Sequence, residues 1–292
     1  MSLIEKLHKH ARNRLAFIDF TLLWDGEISR ATIHKHFSTS PQQATIDINR
    51  YIDAFPMNMR YDPRKKRYVA LPSFKPSLID GTSKEYLRFL EAYTERYQSE
   101  DEVWIKNIPR VASVDIPKRD VDTGILKSIL HAIEENLSFE MEYTSLSSDN
   151  HSRRVAPHAL GSGGNRWHIR AFDFQNDQFG DFVISRISSI SDYQPSTVSS
   201  DEDYAWDKFV RVRVAPDTNL SDEQRFGVAR EYEIVGDVLE VETRQAMLFY
   251  TLRRLGFNPR PSKKGGEMGR KSSYQLELLN LEEVEEWLER RK

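Results

Sequence analysis

The segment "SGGNRWHIRAFDF", residues 162–174, sets the fold class of the central part of the chain. Its glycines predict a turn, and the residues after them alternate in character. A β-strand points successive side chains to opposite faces. The apolar residues are Trp167, Ile169 and Ala171. The cationic residues between them are Arg166, His168 and Arg170. We therefore predict a strand with one apolar face and one cationic face, the latter either solvated or built to hold an anion.

Short extended runs surround this strand. Residues 139–145, 151–160 and 181–193 each alternate as strands, and 125–136 has the spacing of an amphipathic helix. Several short strands separated by turns are typical of a small sheet or barrel. Beyond residue 200, strand and helix patterns alternate, which predicts a small α/β module.

The N-terminal part of the chain predicts three helices. Apolar spacing indicates helices over 14–24 and 28–37. Ser40 is a good N-cap, and Pro41 fits the first turn of a helix because its missing N–H needs no partner there. The third helix therefore begins at this pair and runs to about residue 55.

The outward face of the third helix carries side chains that suit base edges. Gln and Asn pair bidentately with adenine, Arg pairs with guanine, and an apolar side chain can contact the thymine methyl group. An ordinary solvated helix surface has the same composition, so both interpretations stay open for the helix alone. The predicted DNA contacts in this region are Arg30, Ser40, Gln42, Gln43, Thr45, Ile46, Asn49 and Arg50.

A basic hairpin follows this helix. Two short strand-like runs over 57–72 flank a turn, and cations at such a tip contact phosphates, which supply affinity but little sequence information. The cations of this wing are Arg60, Arg64, Lys65, Lys66 and Arg67. Three helices and a basic hairpin in this order predict a winged helix-turn-helix that binds double-stranded DNA. Because one copy reads few bases, we expect a homodimer on an inverted repeat, with half-sites ~34 Å apart or a multiple of that spacing.

The charge distribution agrees with a polyanion partner at the N-terminal end. The chain of 292 residues has a net charge of −3, but residues 1–75 carry +6 and the remainder carries −9. Such a split is typical of a protein with one end on a polyanion. The absence of cysteine excludes disulfides and fits a reducing cytoplasm. No apolar run has the length that spans a bilayer, so we expect a cytoplasmic protein without a membrane partner.

The central motifs resemble one known family. They are F-x-M-x-Y-x-S (139–145), R-R-V-A-P-H-x-L (153–160), R-W-H-I-R-A (166–171) and F-V-I-S-R-I (182–187). Their order is similar to that of WYL domains, which are named for a Trp-Tyr-Leu triplet where this chain has Trp-His-Ile at 167–169. With the winged helix before it, the layout resembles the BrxR- and CapW-like transcriptional regulators of bacterial phage-defence islands of the BREX and CBASS types.

The resemblance implies an α+β multidomain fold. Its parts are an N-terminal winged helix-turn-helix, a central Sm-like or SH3-like small β-barrel, and a C-terminal small α/β module that dimerises. The predicted boundaries are 1–76 for the DNA-binding domain, 77–120 for a helical linker, 121–200 for the ligand-sensing WYL domain, and 201–292 for the C-terminal extension.

The WYL domain is predicted to bind an anionic ligand, such as a nucleotide or a short single-stranded nucleic acid. Arginine forks suit phosphate, and His168 gains charge as the pH falls towards ~6.5. Trp167 is interpreted as core rather than as a stacking platform, and His158 as either a ligand contact or a structural histidine. The predicted ligand contacts are Tyr143, Ser145, Arg153 or Arg154, His158, Trp167, His168, Arg170 and Arg186.

The leading hypothesis is a homodimeric repressor that controls a phage-defence operon. Binding of a ligand releases this repressor from its operator. The alternatives are a DNA-damage-responsive activator, a nucleotide-processing enzyme with His168 as general base, and a non-specific RNA or single-strand binder. We expect no cofactor and no catalytic residue. We also expect no metal site, because the His-x-His pairs at 8–10 and 34–36 lack a clear third ligand. The basic loop at 262–273 is either a surface loop or a second nucleic-acid contact.

Overall fold

The protein divides into two compact units, Met1–Asp115 and Ile116–Lys292. They are called the N-terminal unit and the C-terminal unit below. The computed structural model describes residues 7–99, 102–114, 119–146, 152–259 and 269–290. Most of the basic loop predicted at 262–273 lies outside these residues.

The N-terminal unit begins with three helices, as the sequence predicts. They are α1 (Lys9–Asp25), α2 (Arg30–Phe37) and α3 (Pro41–Ala54). The Ser40 hydroxyl accepts a hydrogen bond from the Gln43 N–H at 3.1 Å, and Pro41 occupies the first turn, so the predicted start of α3 is confirmed. Leu15 and Ile18 of α1 pack with Ile33 of α2 and Ile48 of α3 in a fully buried core.

A three-stranded antiparallel sheet completes the winged helix. Its strands are β1 (Glu27–Ile28), β2 (Met59–Asp62) and β3 (Arg67–Ala70), in the order β1-β3-β2. The turn between β2 and β3 is the tip of the predicted wing, and Asp62 fixes it by accepting from the N–H groups of Arg64 and Lys65. A fourth helix, α4 (Ser83–Thr94), follows the wing.

The C-terminal unit opens with α5 (Thr123–Glu134), which covers a five-stranded antiparallel sheet. The strand order is β7-β6-β5-β4-β8. The strands are β4 (Leu137–Tyr143), β5 (Ser152–Ser162), β6 (Trp167–Asp173), β7 (Gln178–Val183) and β8 (Ile187–Pro195). Pairings among the described residues do not join β7 to β8, so closure into an Sm-like barrel stays a prediction.

The run at 181–193 is two strands rather than the one strand that its alternation predicts. A single 3-10 turn at Ile184–Arg186 separates β7 from β8. The break has a topological reason, because β7 pairs with β6 at one edge of the sheet and β8 pairs with β4 at the other. The buried side chain of Ile184 anchors the turn in the core.

The last third of the chain is a small α/β module, as predicted. Strand β9 (Phe209–Pro216) lies between β10 (Leu239–Arg244) and β11 (Leu276–Leu278). The helices are α6 (Tyr204–Asp207), α7 (Asp222–Glu231), α8 (Leu248–Arg254) and α9 (Leu281–Glu289). Alternate β9 valines pack on α8 and α9 in a third core. Among the described helices, none has the length and apolarity to cross a membrane.

Candidate functional site

Helix α3 presents a polar face to solvent opposite its buried face. Ala44, Ile48 and Tyr51 are buried, as their spacing predicts. The predicted contacts on the other face are exposed or half-buried: Gln42, Gln43, Thr45, Ile46, Asn49 and Arg50. Ile46 is 44% exposed, which is the condition for an apolar contact to a thymine methyl group. The arrangement has the chemistry of a base-reading surface.

Three of the predicted contacts have bonds within the protein. Ser40 serves as the N-cap of α3, Thr45 donates its hydroxyl to the Pro41 carbonyl at 3.0 Å, and Arg30 donates to the Tyr68 hydroxyl at 3.2 Å. Both serine and threonine hydroxyls keep acceptor capacity, and Arg30 keeps further N–H donors for a phosphate.

The sequence analysis missed Asp47, a residue of α3 that bonds side chains of this polar face. It is fully buried, and its carboxylate accepts from Arg14 Nε at 2.6 Å and from Gln43 Nε2 at 3.0 Å. The Arg50 guanidinium lies 3.9 Å from the same carboxylate. The i, i+4 and i, i+3 spacing of Gln43, Asp47 and Arg50 could have indicated these contacts, because residues so spaced are neighbours on a helix.

The wing divides its cations into two groups. Lys65 and Arg67 pair with Glu27 at 3.2 and 3.5 Å. Arg60, Arg64 and Lys66 are exposed, and no carboxylate in the described part of the chain pairs with them. These three cations are therefore available to phosphates without breaking an internal ion pair.

Strand β6 does not have the apolar and cationic faces that its alternation predicts. Ile169 and Ala171 are in the core, but Trp167 is 54% exposed, whereas His168 and Arg170 are buried. The cause is coverage of the second face by later parts of the unit. The Tyr250 ring of α8 lies 4.8 Å from the His168 ring, and Asp203 bonds Arg170. The interpretation of Trp167 as core is wrong.

Arg170 and His158 share a buried carboxylate. Asp203 accepts from Arg170 Nε at 2.6 Å and Nη2 at 2.9 Å, and His158 Nε2 lies 2.9 Å from it. Asp181 accepts from Arg170 Nη1 at 3.2 Å. Burial alone raises the pKa of Asp203, but the bonds from Arg170 and His158 outweigh it and lower the pKa to about 2. A ligand would have to displace these carboxylates, so the structure does not favour Arg170 or His158 as ligand contacts.

The same holds for other predicted ligand contacts. Arg153 is buried and pairs with Asp173 at 2.9 Å, while Arg154 pairs with Asp192 and Glu140. The Tyr143 hydroxyl is buried and accepts from the Val183 N–H at 3.2 Å. These groups hold strands together. Ser145 lies half-buried just after β4.

The positive charges of three other arginines of this unit act on Arg166, and these four residues are called the cationic cluster below. Burial lowers the pKa of Arg166, and the nearby positive charges of Arg119, Arg186 and Arg253 lower it further. Arg119 and Arg253 are exposed, and Arg166 and Arg186 are half-buried. Within the described residues none of the four pairs with a carboxylate. The sequence analysis placed Arg186 among the ligand contacts and Arg166 on the cationic face of the central strand, but it missed Arg119 and Arg253, which lie far from the WYL motifs in the chain.

His168 lies beside this cluster and is not the cation that the sequence predicts. Burial is the main cause that lowers its pKa, and Arg166 and Arg186 lower it too, while Asp181 opposes them. The ring is therefore neutral at pH 7, because its pKa lies below its usual 6.5. Its buried Nδ1 has no hydrogen-bond partner among the described residues.

Taken alone, the N-terminal unit defines a winged helix-turn-helix protein, a class that binds DNA through a helix and a basic wing. Comparison with known families agrees along the chain. The winged helix-turn-helix domain of the BrxR transcriptional regulator matches residues 10–92, the WYL domain matches 124–191, and the C-terminal dimerization domain of BrxR matches 209–284.

Several relatives match nearly the full length. The DNA-binding transcriptional repressor CapW of Pseudomonas aeruginosa is 32% identical over 277 residues, which are 94% of this chain and 91% of the relative. CapW of Escherichia coli (strain KTE188) is 30% identical over 272 residues, covering 93% and 89%. The chain belongs to the BrxR/CapW family of WYL-domain transcriptional regulators.

A solved structure aligns more weakly. Proteasome accessory factor B/C (PafBC) of Arthrobacter aurescens covers 95% of this chain at 16% identity with a TM-score of 0.29. This chain spans 45% of the length of that protein.

Proposed function

We propose that this protein is a cytoplasmic, homodimeric repressor that binds an inverted-repeat operator. The carrying observation is the outward face of α3, with its amides, Arg50 and exposed Ile46, together with three wing cations of the same unit that pair with no carboxylate of the described residues. In this arrangement α3 reads base edges and the wing holds phosphates. The match of residues 209–284 to a dimerization domain supports a dimer. The relatives named CapW support repression rather than activation.

The resemblance to regulators of defence islands supports a phage-defence operon as the target. The proposed organisation has DNA binding in 1–76, a helical linker in 77–120, ligand sensing in 121–200 and dimerisation in 201–292. A gel-shift assay with the region upstream of the gene, against random competitor DNA, tests the core of this proposal. We expect retention of the upstream DNA only. Equal retention of both DNAs would reject sequence-specific control.

Two variants separate base reading from phosphate binding. Arg50→Ala is expected to weaken operator binding by about 1–3 kcal/mol and to relax its specificity, because a guanidinium to guanine contact is lost. Lys66→Ala, at an exposed and unpaired wing cation, is expected to weaken operator and random DNA alike and to reduce the salt slope by about 1. Fluorescence anisotropy at several salt concentrations measures both. An unchanged operator preference in Arg50→Ala would contradict the role of α3.

The ligand is proposed to be an anion with phosphate groups, a nucleotide or a short single-stranded nucleic acid. The cluster of Arg119, Arg166, Arg186 and Arg253 supports this class, since guanidiniums suit phosphates and no carboxylate of the described residues pairs with these four. Trp167 is exposed and can stack on a base. Ligand binding then releases the DNA only if the ligand binds the DNA-free form of the protein more tightly than the DNA-bound form.

Arg186→Ala tests the ligand site. We expect it to bind the operator as the wild type does but to lose about tenfold or more in affinity for a short oligo-dT, because a charge-assisted bond to phosphate is lost. Titration of operator complexes with oligo-dT and, separately, with dTMP measures the response. Arg154→Ala is the matched control, an arginine of β5 that is already paired with Asp192 and Glu140. If both variants responded like the wild type, the cluster would not be the ligand site.

A further inference from the structure

Helix α3 contains a buried charged residue, Asp47, that does not itself contact DNA in the proposed function. Asp47 lies on α3 between Gln43 and Arg50 in sequence, and it is fully buried. Arg14 of α1 pairs with it through Nε at 2.6 Å and Nη2 at 3.3 Å. Arg14 is itself only 16% exposed. The pair therefore fixes one carboxylate and compensates its charge.

This carboxylate determines which way the Gln43 amide points. An ionised carboxylate only accepts hydrogen bonds, so the Gln43 group 3.0 Å from Asp47 Oδ1 has to be the NH2 group. The amide oxygen and the second N–H of Gln43 have no hydrogen-bond partner among the described residues. Gln43 is half-buried, and its side chain starts on the face of α3 that carries Gln42 and Ile46.

The free edge of Gln43 has one acceptor and one donor in a fixed order. Adenine presents in the major groove an N6 amino donor beside the N7 acceptor, which is the complementary pair for a glutamine amide. In the major groove, cytosine offers only a hydrogen-bond donor and thymine offers only an acceptor. The order of donor and acceptor on the Gln43 amide decides whether it matches the adenine edge. An amide turned by 180° exchanges its oxygen and its NH2 group.

We propose that Asp47 is a specificity-determining positioning residue, which holds the Gln43 amide in the single orientation that reads adenine. Arg14 holds Asp47, and Asp47 also faces Arg50 at 3.9 Å. Asp47 itself does not touch DNA. The proposal rests on the proposed function, in which α3 reads bases, and it adds a residue behind the reading surface that selects the base.

Asp47→Asn tests this orientation with little change in shape. An asparagine amide can donate to the Gln43 oxygen as well as accept from its nitrogen, so both orientations of Gln43 become available. The experiment selects binding sites from a double-stranded DNA library with a randomised centre, using the full-length protein. Four proteins are compared: the wild type, Gln43→Ala, Asp47→Asn and Asp53→Asn. Asp53 is the matched control, an exposed carboxylate on the same helix.

The expected result has two parts. Gln43→Ala loses preference at one base pair per half-site, which identifies the base that Gln43 reads. At that base pair, Asp47→Asn is expected to lose at least about fivefold of the preference for adenine, the lower end for a bidentate contact. Its affinity for random DNA stays within about twofold of the wild type, and Asp53→Asn selects the wild-type site.

The outcomes separate this inference from the proposed function. If the wild type selected no site, the proposed function would fail. If the wild type and Gln43→Ala behaved as expected but Asp47→Asn kept the full adenine preference, the role of Asp47 would be overturned. NMR of the wild type provides a test that does not depend on folding of the variant. One Gln43 side-chain amide proton, assigned by its loss in Gln43→Ala, is expected to be hydrogen-bonded, and two solvent-exposed protons would overturn the proposal.

Discussion

Arg170→Met is expected to lower the free energy of unfolding of the C-terminal unit by about 3–5 kcal/mol. The substitution removes the guanidinium that bonds two carboxylates whose side chains are only 1% and 7% exposed, Asp203 and Asp181. An uncompensated buried charge costs this much, whereas an intact buried pair adds little net stability. Native-state hydrogen exchange of the β6 amides measures the loss in the full chain, since it resolves each unit separately.

The same substitution at an exposed pair provides the control. Arg211 is 65% exposed and lies 3.4 Å from Glu242. Exposed pairs contribute about 0–1 kcal/mol, so Arg211→Met is expected to change β6 exchange very little. If Arg170→Met cost no more than Arg211→Met, the buried network would not hold the unit together.

The pH dependence of stability gives a second readout of this network. The folded pKa of Asp203, about 2, lies below its usual 3.8. A carboxyl whose pKa is lowered by folding stabilises the protein above its unfolded pKa, and this stabilisation is lost as the pH falls through the folded value. We expect about 2 kcal/mol to be lost between pH 4 and pH 2 in the wild type. Asp203→Asn should lack this component of the acid transition.

Asp19→Ala is expected to destabilise the N-terminal unit by at least about 3 kcal/mol. The buried Asp19 carboxylate accepts from the Tyr51 hydroxyl and from the N–H groups of Ser77 and Leu78, the last at 2.6 Å. Alanine leaves these donors without an acceptor inside the unit, at about 1–3 kcal/mol each. The loss should appear as faster hydrogen exchange in α3, where Tyr51 lies.

Two comparisons define the role of Asp19. Asp19→Asn keeps one carbonyl acceptor and is expected to recover part of the stability, while Asp53→Ala, at an exposed carboxylate of α3, should cost less than about 0.5 kcal/mol. Because Asp19 bonds both Tyr51 of α3 and the backbone after the wing, it ties the helix to the segment that leads to α4. Unchanged exchange in Asp19→Ala would show that this tie carries no stability.

Local signals predicted the elements well. The pair Ser40-Pro41 gave the start of α3, and the spacing of Ala44, Ile48 and Tyr51 gave its buried face. The glycines at 161–164 gave the turn between β5 and β6, where Gly164 has a φ of +94° that favours glycine. Each of these signals depends on neighbours within a few residues, so one sequence is sufficient to find it.

The ligand site was predicted less well. Period-two alternation predicted an apolar and a cationic face for β6, but it does not say what covers each face. Asp203 and Tyr250, remote in sequence, cover Arg170 and His168 and make both of them internal. The pairing of Arg153 with Asp173 has the same character, because it joins two strands.

By itself, therefore, the sequence determined the winged helix, the strand and helix order, the basic wing and the family to which the chain belongs. Periodicity, capping and turn chemistry act over short distances, and motif order is preserved along the chain. Only the tertiary structure decided which cations are free. A buried arginine has to be paired with a carboxylate to offset the cost of leaving water, and the carboxylate can come from any part of the chain. Arg170 is paired by that rule, while Arg166 and Arg186 pair with no carboxylate of the described residues.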